Sequence, residues 1–199
     1  MSSDGAFSGD PWHWFRESFA RAQRSETFDP SRAALATVDA EGRPSVRFVL
    51  VKYADEHGFQ FYTNLDSSKA RHLAGRPFAA LAFHWSTTDE QIRAEGRVER
   101  VSEAEADAYF RSRPRGSQLS AWTSEQSRPI DNREALEARR REVEGRWAGV
   151  ESLPRPPFWG GYRLIPARIE FWRNRPDRLH DRWSFSRSDD GWTCQRLQP

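Results

Sequence analysis

The stretch SVRFVLVKY, residues 45–53, is rich in β-branched and aromatic residues and predicts a strand. Arg47 and Lys52 lie within this apolar run, where cations without partners are rare, so the pair hints at an anionic ligand. Because side chains alternate along a strand, regular geometry would place the two cations on opposite faces. A shared site would require a bulge, a strand end or an extended ligand. The alternative is that both charges reach water at the ends of the strand.

The segments around this strand predict a mainly β fold, a β-barrel with helices. Seven or so strands joined by short turns are expected, and the pattern does not fit a βαβ fold. We expect a disordered N-terminal tail at residues 1–9 and a single domain at residues 10–199. The other predicted strands are residues 33–38, 59–64, 78–85, 91–101, 159–174, 178–188 and 192–198, with the DDG at 189–191 as a hairpin turn.

Four helices are expected, over residues 10–25, 67–75, 102–113 and 131–147. Asp10 is the candidate N-cap of the first helix. Ser102 and Glu105 have the spacing of a capping box, and Asp131 and Glu134 repeat that spacing at the start of the last helix.

The composition limits the classes of protein to consider. The 31 lysines and arginines nearly balance the 29 aspartates and glutamates, so the net charge is only +2 and no basic stripe stands out. Cys194 is the only cysteine and the five histidines are scattered, which predicts neither an internal disulfide nor a metal site. No signal-peptide core and no apolar run of membrane-spanning length is present. We therefore expect a soluble cytoplasmic protein.

The stretch NLDSSKA, residues 64–70, places a lysine at a predicted helix start. Lys69 would lie in the first turn, where the helix dipole disfavours a cation. An anion held by the free N–H groups of that turn, the serine hydroxyls and Lys69 would remove the conflict. The alternative is a solvated lysine.

The stretch YFRSRPRGSQLSAWTSEQS, residues 109–127, collects three arginines among serine and glutamine side chains. We interpret the part around Pro114 and Gly116 as a loop that grips phosphate, because arginine donates to phosphate in a bidentate geometry. A mobile basic loop is the alternative.

The stretch RLHDR, residues 178–182, places three potential cations within five residues. As a strand it would present Arg178, His180 and Arg182 on one face. Such a row is costly unless it faces water or an anion.

Several of these motifs, in this order and spacing, resemble the FMN-dependent pyridoxamine 5′-phosphate oxidases. The resemblance covers roughly residues 30–199, through RFVLVK, FYTNLDSSKA, YFRSRPRGSQLSAW, FWGGYRL and IEFWRNRPDRLHDR. It implies an FMN-binding split barrel that forms a homodimer with FMN at the subunit interface. It also implies oxidation of pyridoxamine or pyridoxine 5′-phosphate to pyridoxal 5′-phosphate, with O₂ as acceptor and H₂O₂ as product.

The resemblance also implies roles for individual residues. Arg178 and His180 would be the catalytic residues beside the substrate. The substrate would be bound by Lys52, Tyr109, Arg113, Ser117, Arg178 and His180. FMN would be bound by Arg47, Phe48, Val49, Leu50, Val51, Lys52, Tyr62, Thr63, Ser68, Lys69, Gln91, Gln126, Ser127, Trp172 and Arg182.

Two positions depart from the family's usual pattern, and two other functions stay open. Ser68 and Glu90 stand where the family usually has arginine, and both changes are expected on the flavin side. Oxidases of phenazine precursors share the fold and flavin, although they lose parts of the substrate-phosphate grip that is complete here. From another class, a barrel with nine tryptophans and many arginines is compatible with single-stranded nucleic-acid binding.

Overall fold

A computed structural model describes residues 9–199, and six antiparallel strands form its centre. They are β1 (Arg32–Val38), β2 (Pro44–Asp55), β3 (Gly58–Asn64), β4 (Phe78–Trp85), β5 (Glu90–Arg100) and β6 (Trp159–Arg173). The sheet order is β3-β2-β1-β4-β5-β6, and β3 also pairs with β6, which closes the barrel. The predicted mainly β fold with helices is confirmed.

Strand β6 is 15 residues long, and it pairs with β5 along one edge and with both β3 and β7 along the other. Its first half pairs with β3, and its second half, from Arg168 to Arg173, pairs with β7 (Asp181–Ser188). Strand β8 (Gly191–Arg196) then extends the sheet beyond the barrel, through the predicted hairpin turn. Strands β7 and β8 therefore lie outside the ring of strands that closes between β3 and β6.

Five helices of the described chain lie around the barrel: α1 (Pro11–Ser25), α2 (Ser68–Gly75), α3 (Glu103–Ser112), α4 (Arg115–Thr123) and α5 (Arg133–Arg146). Asp10 caps α1 by accepting from the Trp12 N–H at 3.0 Å, and the predicted capping box of Ser102 is present. The predicted cap at Asp131 is wrong. Asn132 caps α5 instead, because its side-chain oxygen accepts from the Ala135 N–H at 2.8 Å.

The main core fills the barrel with aromatic side chains. Phe15 of α1 lies 5.1 Å from Phe59 and 5.3 Å from Phe83 between ring centroids, so α1 packs onto the barrel interior. A smaller cluster lies beneath α3 and α4 and contains Phe110, Leu119, Leu153 and Trp159. Burial of this much apolar surface is the main driving force for folding.

Two of the sequence-based assignments of secondary structure are wrong. The supposed phosphate-gripping loop is largely α4, and its buried Gln118 amide donates to the carbonyls of Phe110, Arg111 and Arg113 at the end of α3. The stretch 178–182 is not a strand throughout, since β7 begins only at Asp181.

Two other sequence-based expectations concern the termini and membranes. Apart from Gly9, the predicted tail at residues 1–9 lies outside the described residues. No helix within residues 9–199 is long and apolar enough to cross a bilayer.

Candidate functional site

A buried lysine forms the centre of the first polar cluster. Lys69, at the start of α2, is only 7% exposed, so the solvated alternative is wrong. Its ammonium donates to Thr63 Oγ1 at 3.1 Å, Ser67 Oγ at 3.2 Å and Gln126 Oε1 at 3.2 Å. None of these partners carries a negative charge. Burial, followed by the charge of Arg47, lowers the pKa of Lys69 to about 8.

Arg47 lies beside this lysine on β2, where neutral groups likewise hold its guanidinium. It donates to Thr37 Oγ1 at 2.6 Å, to Ser45 Oγ at 2.7 Å and to the Leu35 carbonyl at 3.1 Å. Desolvation lowers the pKa of the guanidinium. Two neighbouring cations among neutral acceptors favour an anionic ligand.

The segment after α4 closes over the start of α2. The Ser68 N–H donates to Ser127 Oγ at 3.3 Å, and Thr63 Oγ1 donates to Gln126 Oε1 at 2.9 Å. Ser127 has a φ of 72°, a left-handed conformation that is unusual for a residue with a Cβ and recurs at functional sites. The structure therefore brings Arg47, Thr63, Ser68, Lys69, Gln126 and Ser127 together. We call this group the Lys69 cluster.

A second cluster forms around Tyr109 and Arg113 on α3. The rings of Tyr62 and Tyr109 stack with centroids 4.0 Å apart, and the Arg113 guanidinium lies 4.8 Å from the Trp159 ring. Among residues 9–199 the buried Nη1 of Arg113 finds no hydrogen-bond partner, and desolvation lowers the pKa of the guanidinium. A buried donor without a partner is costly unless a ligand satisfies it.

Tight packing of β6 against β3 supports this second cluster. A Cβ at Gly161 would lie 2.7 Å from ring carbons of Tyr62, so the glycine permits the close approach that orients the stacked tyrosines. Burial raises the pKa of both Tyr62 and Tyr109, which keeps the two phenols protonated as hydrogen-bond donors.

Lys52 reaches the neighbourhood of the second cluster through a bulge. The register between β2 and β3 shifts between Val51 and Tyr53, so Lys52 lies at an irregularity of the strand. A bulge was expected only if Arg47 and Lys52 shared one site, and the structure instead places Arg47 in the Lys69 cluster. Lys52 and Tyr109 each interact electrostatically with Asp29. Ser117 lies in the first turn of α4, where its N–H donates to the Pro114 carbonyl at 2.8 Å.

The side chains of Phe48, Val49, Leu50 and Val51 alternate between the two faces of β2. Phe48 is 71% exposed and Leu50 is 40% exposed, and both share an apolar face with Val46 at 69%. Val49 and Val51 point the other way, toward the core. The exposed face is the β2 apolar strip, defined by Val46, Phe48 and Leu50.

A third group of side chains lies across the neighbouring strands β5, β6 and β7. Gln91 pairs with Trp172 and Trp172 pairs with Arg182, so the three form one row across the strands. The His180 ring lies 4.6 Å from the Trp172 ring. Glu170 holds the Arg182 guanidinium at 2.8 Å. Within residues 9–199, no hydrogen bond, ion pair or ring contact joins this Trp172 row to the Lys69 cluster.

Arg178 is exposed and lies in a turn, which corrects the one-face arrangement read from RLHDR. A short 3₁₀ turn covers Pro176–Arg178, and Arg178 itself has a φ of 61°. The alternation rule therefore fails for Arg178 and His180, because it applies only to extended strands.

Glu90 also differs from the expectation, because it does not share the face of Gln91. It is 4% exposed, and its carboxylate accepts from Arg21 at 2.9 Å and from Arg173 at 2.5 Å. The side chain points to the inner face of β5 and ties α1 to β6. Its expected effect on the flavin side stays a prediction.

Sequence reasoning missed several contributors. Thr37, Ser67 and Glu170 hold the named cations, yet isolated hydroxyls and an isolated carboxylate give no pattern in a sequence. Trp159 also belongs to the site, because its ring lies against the Arg113 guanidinium. The sequence signal that could have identified it is an aromatic residue directly before the glycine pair in FWGG.

Comparison with known proteins gives matches along nearly the whole chain. The family model described as pyridoxamine 5′-phosphate oxidase matches residues 20–147, and that of the pyridoxine 5′-phosphate oxidase C-terminal dimerisation region matches residues 159–199. A protein of Anaeromyxobacter dehalogenans named pyridoxine/pyridoxamine 5′-phosphate oxidase is 57% identical over 190 residues, which is 96% of each chain.

Solved structures show the same fold. PhzG from Burkholderia lata, crystallised with tetrahydrophenazine-1-carboxylic acid, is 31% identical with a TM-score of 0.91, covering 100% of this chain and 98% of its own. An FMN-binding protein from Nostoc punctiforme, described as related to pyridoxamine 5′-phosphate oxidase, is 21% identical with a TM-score of 0.77. It covers 97% of this chain and 100% of its own, and it bears on the fold alone.

Proposed function

The chain belongs to the pyridoxamine 5′-phosphate oxidase family, and on that premise we propose that it is an FMN-dependent oxidase of phosphorylated B6 vitamers. It oxidises pyridoxine 5′-phosphate or pyridoxamine 5′-phosphate to pyridoxal 5′-phosphate, with O₂ as acceptor and H₂O₂ as product. With the amine substrate, water hydrolyses the imine that is formed and ammonia is released as well. The family membership favours this enzyme over a nucleic-acid-binding barrel.

The observation that carries the proposal is the presence of two separate cation groups that pair with no carboxylate in the part of the chain that the structure describes. Arg47 and Lys69 form one, and Arg113 forms the other, each surrounded by neutral donors, acceptors or rings. The cofactor and the substrate would each bring one phosphate. Two phosphate grips in one protein match that pair of ligands.

The residues of the Lys69 cluster fit the phosphate of FMN. Lys69 and Arg47 supply charge, and Ser68 and Ser127 supply backbone and hydroxyl donors at the start of α2. Gln91, Trp172 and Arg182 would contact the flavin ring, as would the β2 residues from Phe48 to Lys52 together with Tyr62. When bound, FMN supplies the two-electron acceptor that no side chain provides.

The protein's own residues would bind and orient the substrate. Lys52, Tyr109, Arg113 and Ser117 would hold its phosphate. His180 accepts the Arg175 N–H at Nδ1, at 3.3 Å, which leaves Nε2–H as a donor toward the substrate's polar groups. Arg178, which is exposed, would cover the substrate ring.

We also propose that the active unit is a homodimer with FMN at the interface. The C-terminal match to a dimerisation region supports it, as do the exposed β2 apolar strip and the separation of the Trp172 row from the Lys69 cluster in a single chain. A second copy would complete each site. Localisation in the cytoplasm remains part of this proposal.

The similarity to PhzG favours a second candidate, oxidation of a phenazine precursor. The identity of 57% to a protein named pyridoxine/pyridoxamine 5′-phosphate oxidase, against 31% to PhzG, favours the phosphorylated substrate. The two functions are separated by incubating the FMN-loaded protein with pyridoxamine 5′-phosphate, unphosphorylated pyridoxamine or tetrahydrophenazine-1-carboxylic acid. Oxidation that depends on the phosphate supports the proposal, and oxidation of the phenazine compound alone overturns it.

A further inference from the structure

The turn between β6 and β7 holds Arg178 and His180 in a backbone conformation that needs support from elsewhere. Asp177 and Arg178 follow one another with φ values of 57° and 61°. The left-handed region is unfavourable for residues with a Cβ, and persists where the surrounding structure fixes it. Leu179 beside them is 68% exposed, so apolar packing does not provide that support.

The carboxylate of Asp181 supports the base of this turn from two sides. Its Oδ2 accepts from Arg175 Nε at 2.5 Å, and its Oδ1 accepts from Arg196 Nη2 at 2.7 Å. Arg175 precedes the turn, whereas Arg196 is the last residue of β8. Asp181 is only 8% exposed, which strengthens both charge-assisted bonds relative to a surface pair.

The other end of the turn is fixed to the loop before β5. The side-chain amide of Asn174 donates to Asp89 Oδ2 at 2.5 Å, and its backbone N–H donates to the Asp89 carbonyl at 3.1 Å. Both ends are thus anchored, and the nine residues from Asn174 to Arg182 have few ways to rearrange while Asp181 stays charged and paired.

We propose that Asp181 is a positioning residue of the candidate site. By holding Arg175 and Arg196 it keeps the left-handed turn in place, and the turn sets the directions of the Arg178 and His180 side chains. The inference rests on the proposed function, which places those two side chains against the substrate. Through Arg196, strand β8 at the edge of the sheet then helps to position the two side chains that contact the substrate.

The test compares Asp181→Asn with Asp189→Asn, an exposed carboxylate in the hairpin turn at the other end of β7. Asparagine keeps the shape of the side chain and removes the charge that pairs with two guanidinium groups. Backbone hydrogen exchange is measured over residues 174–180, and KM, kcat and the FMN dissociation constant are measured on the dimer.

Asp181→Asn is expected to speed exchange in this segment and to raise KM for pyridoxine 5′-phosphate, each by roughly tenfold, with FMN affinity changed less than about twofold. Asp189→Asn should leave all three unchanged. Because both arginines act through one carboxylate, Arg175→Ala combined with Arg196→Ala should change KM no more than Asp181→Asn does.

Other outcomes have distinct meanings. A general loss of stability and FMN binding without a selective rise in KM would show a merely structural role, and unchanged exchange and KM would overturn the proposal. If Asp181→Asn does not fold, Arg196→Ala serves instead, because its side chain is 61% exposed. If the wild type does not oxidise the vitamer, the proposed function fails, whereas exchange still decides whether Asp181 holds the turn.

Discussion

Lys69 and Arg47 lie side by side, and no carboxylate of residues 9–199 pairs with either cation, which defines the first cation group. Burial is the larger cause of the lowered Lys69 pKa of about 8, and the guanidinium charge adds to it. In the ligand-free protein the two charges repel each other. A bound phosphate would remove that repulsion and stabilise both charged forms.

We predict that FMN affinity falls as pH rises through the pKa of Lys69. Above about pH 7 the FMN phosphate is already a dianion, so the lysine is the group that titrates. The folded ligand-free pKa of about 8 lies below the ordinary 10.5, so binding must take up a proton at higher pH. The dissociation constant should rise roughly tenfold between about pH 7 and about pH 9.

Fluorescence titration of the apoprotein with FMN across this pH range measures the effect. Lys69→Arg is the control, because a guanidinium keeps its charge throughout and should give a flat profile. A wild-type profile as flat as that of the arginine variant would show that Lys69 does not contact the phosphate.

Arg113→Ala is predicted to weaken pyridoxine 5′-phosphate far more than FMN, by on the order of 2–3 kcal/mol for a lost charge-assisted pair. Arg47→Ala should do the reverse. KM and the FMN dissociation constant are measured for both, with exposed Arg111→Ala as a control. Equal loss of FMN in both variants, with the fold intact, would contradict two separate phosphate grips.

The sequence predicted those features that depend on neighbours along the chain. Alternation and β-branched residues located β2, and the spacing of Ser102 and Glu105 located the start of α3. The contacts it missed join side chains of different elements that no regular spacing relates. Gln118 satisfies the end of α3, and Asp181 is held by Arg196 of another strand. The burial of Lys69 likewise depends on Gln126, far along the chain, so no local pattern could reveal it.

With serine at position 68, the protein is predicted to bind FMN less tightly than it would with arginine at that position. In the structure, however, Arg71 Nη2 lies 3.2 Å from Ser68 Oγ and Nη1 donates to the Asp66 carbonyl at 2.5 Å. A cation is therefore already present beside the hydroxyl. Ser68→Arg should tighten FMN by roughly tenfold in an Arg71→Ala background, and by less in the wild type.

Titration of the four proteins of this cycle with FMN gives the coupling directly. Dissociation constants that stay the same or rise on Ser68→Arg in both backgrounds would mean that position 68 points away from the phosphate.

Phe48→Glu is predicted to convert the homodimer to a monomer and to abolish tight FMN binding. Phe48 is 71% exposed at the centre of the β2 apolar strip, and a charge there would be buried without a partner. Sedimentation with flavin absorbance measures both properties, with Val150→Glu on another exposed surface as the control. A flavin-loaded monomer, in the variant or the wild type, would contradict the shared site.

The most direct test of the account is anaerobic mixing of the FMN-loaded wild type with pyridoxamine 5′-phosphate. Without O₂ each flavin accepts one electron pair, so the flavin absorbance should bleach with about one pyridoxal 5′-phosphate formed per FMN. Arg113→Ala should bleach only at much higher substrate concentration. A flavin that stays oxidised at saturating pyridoxamine 5′-phosphate and pyridoxine 5′-phosphate would contradict the proposed function.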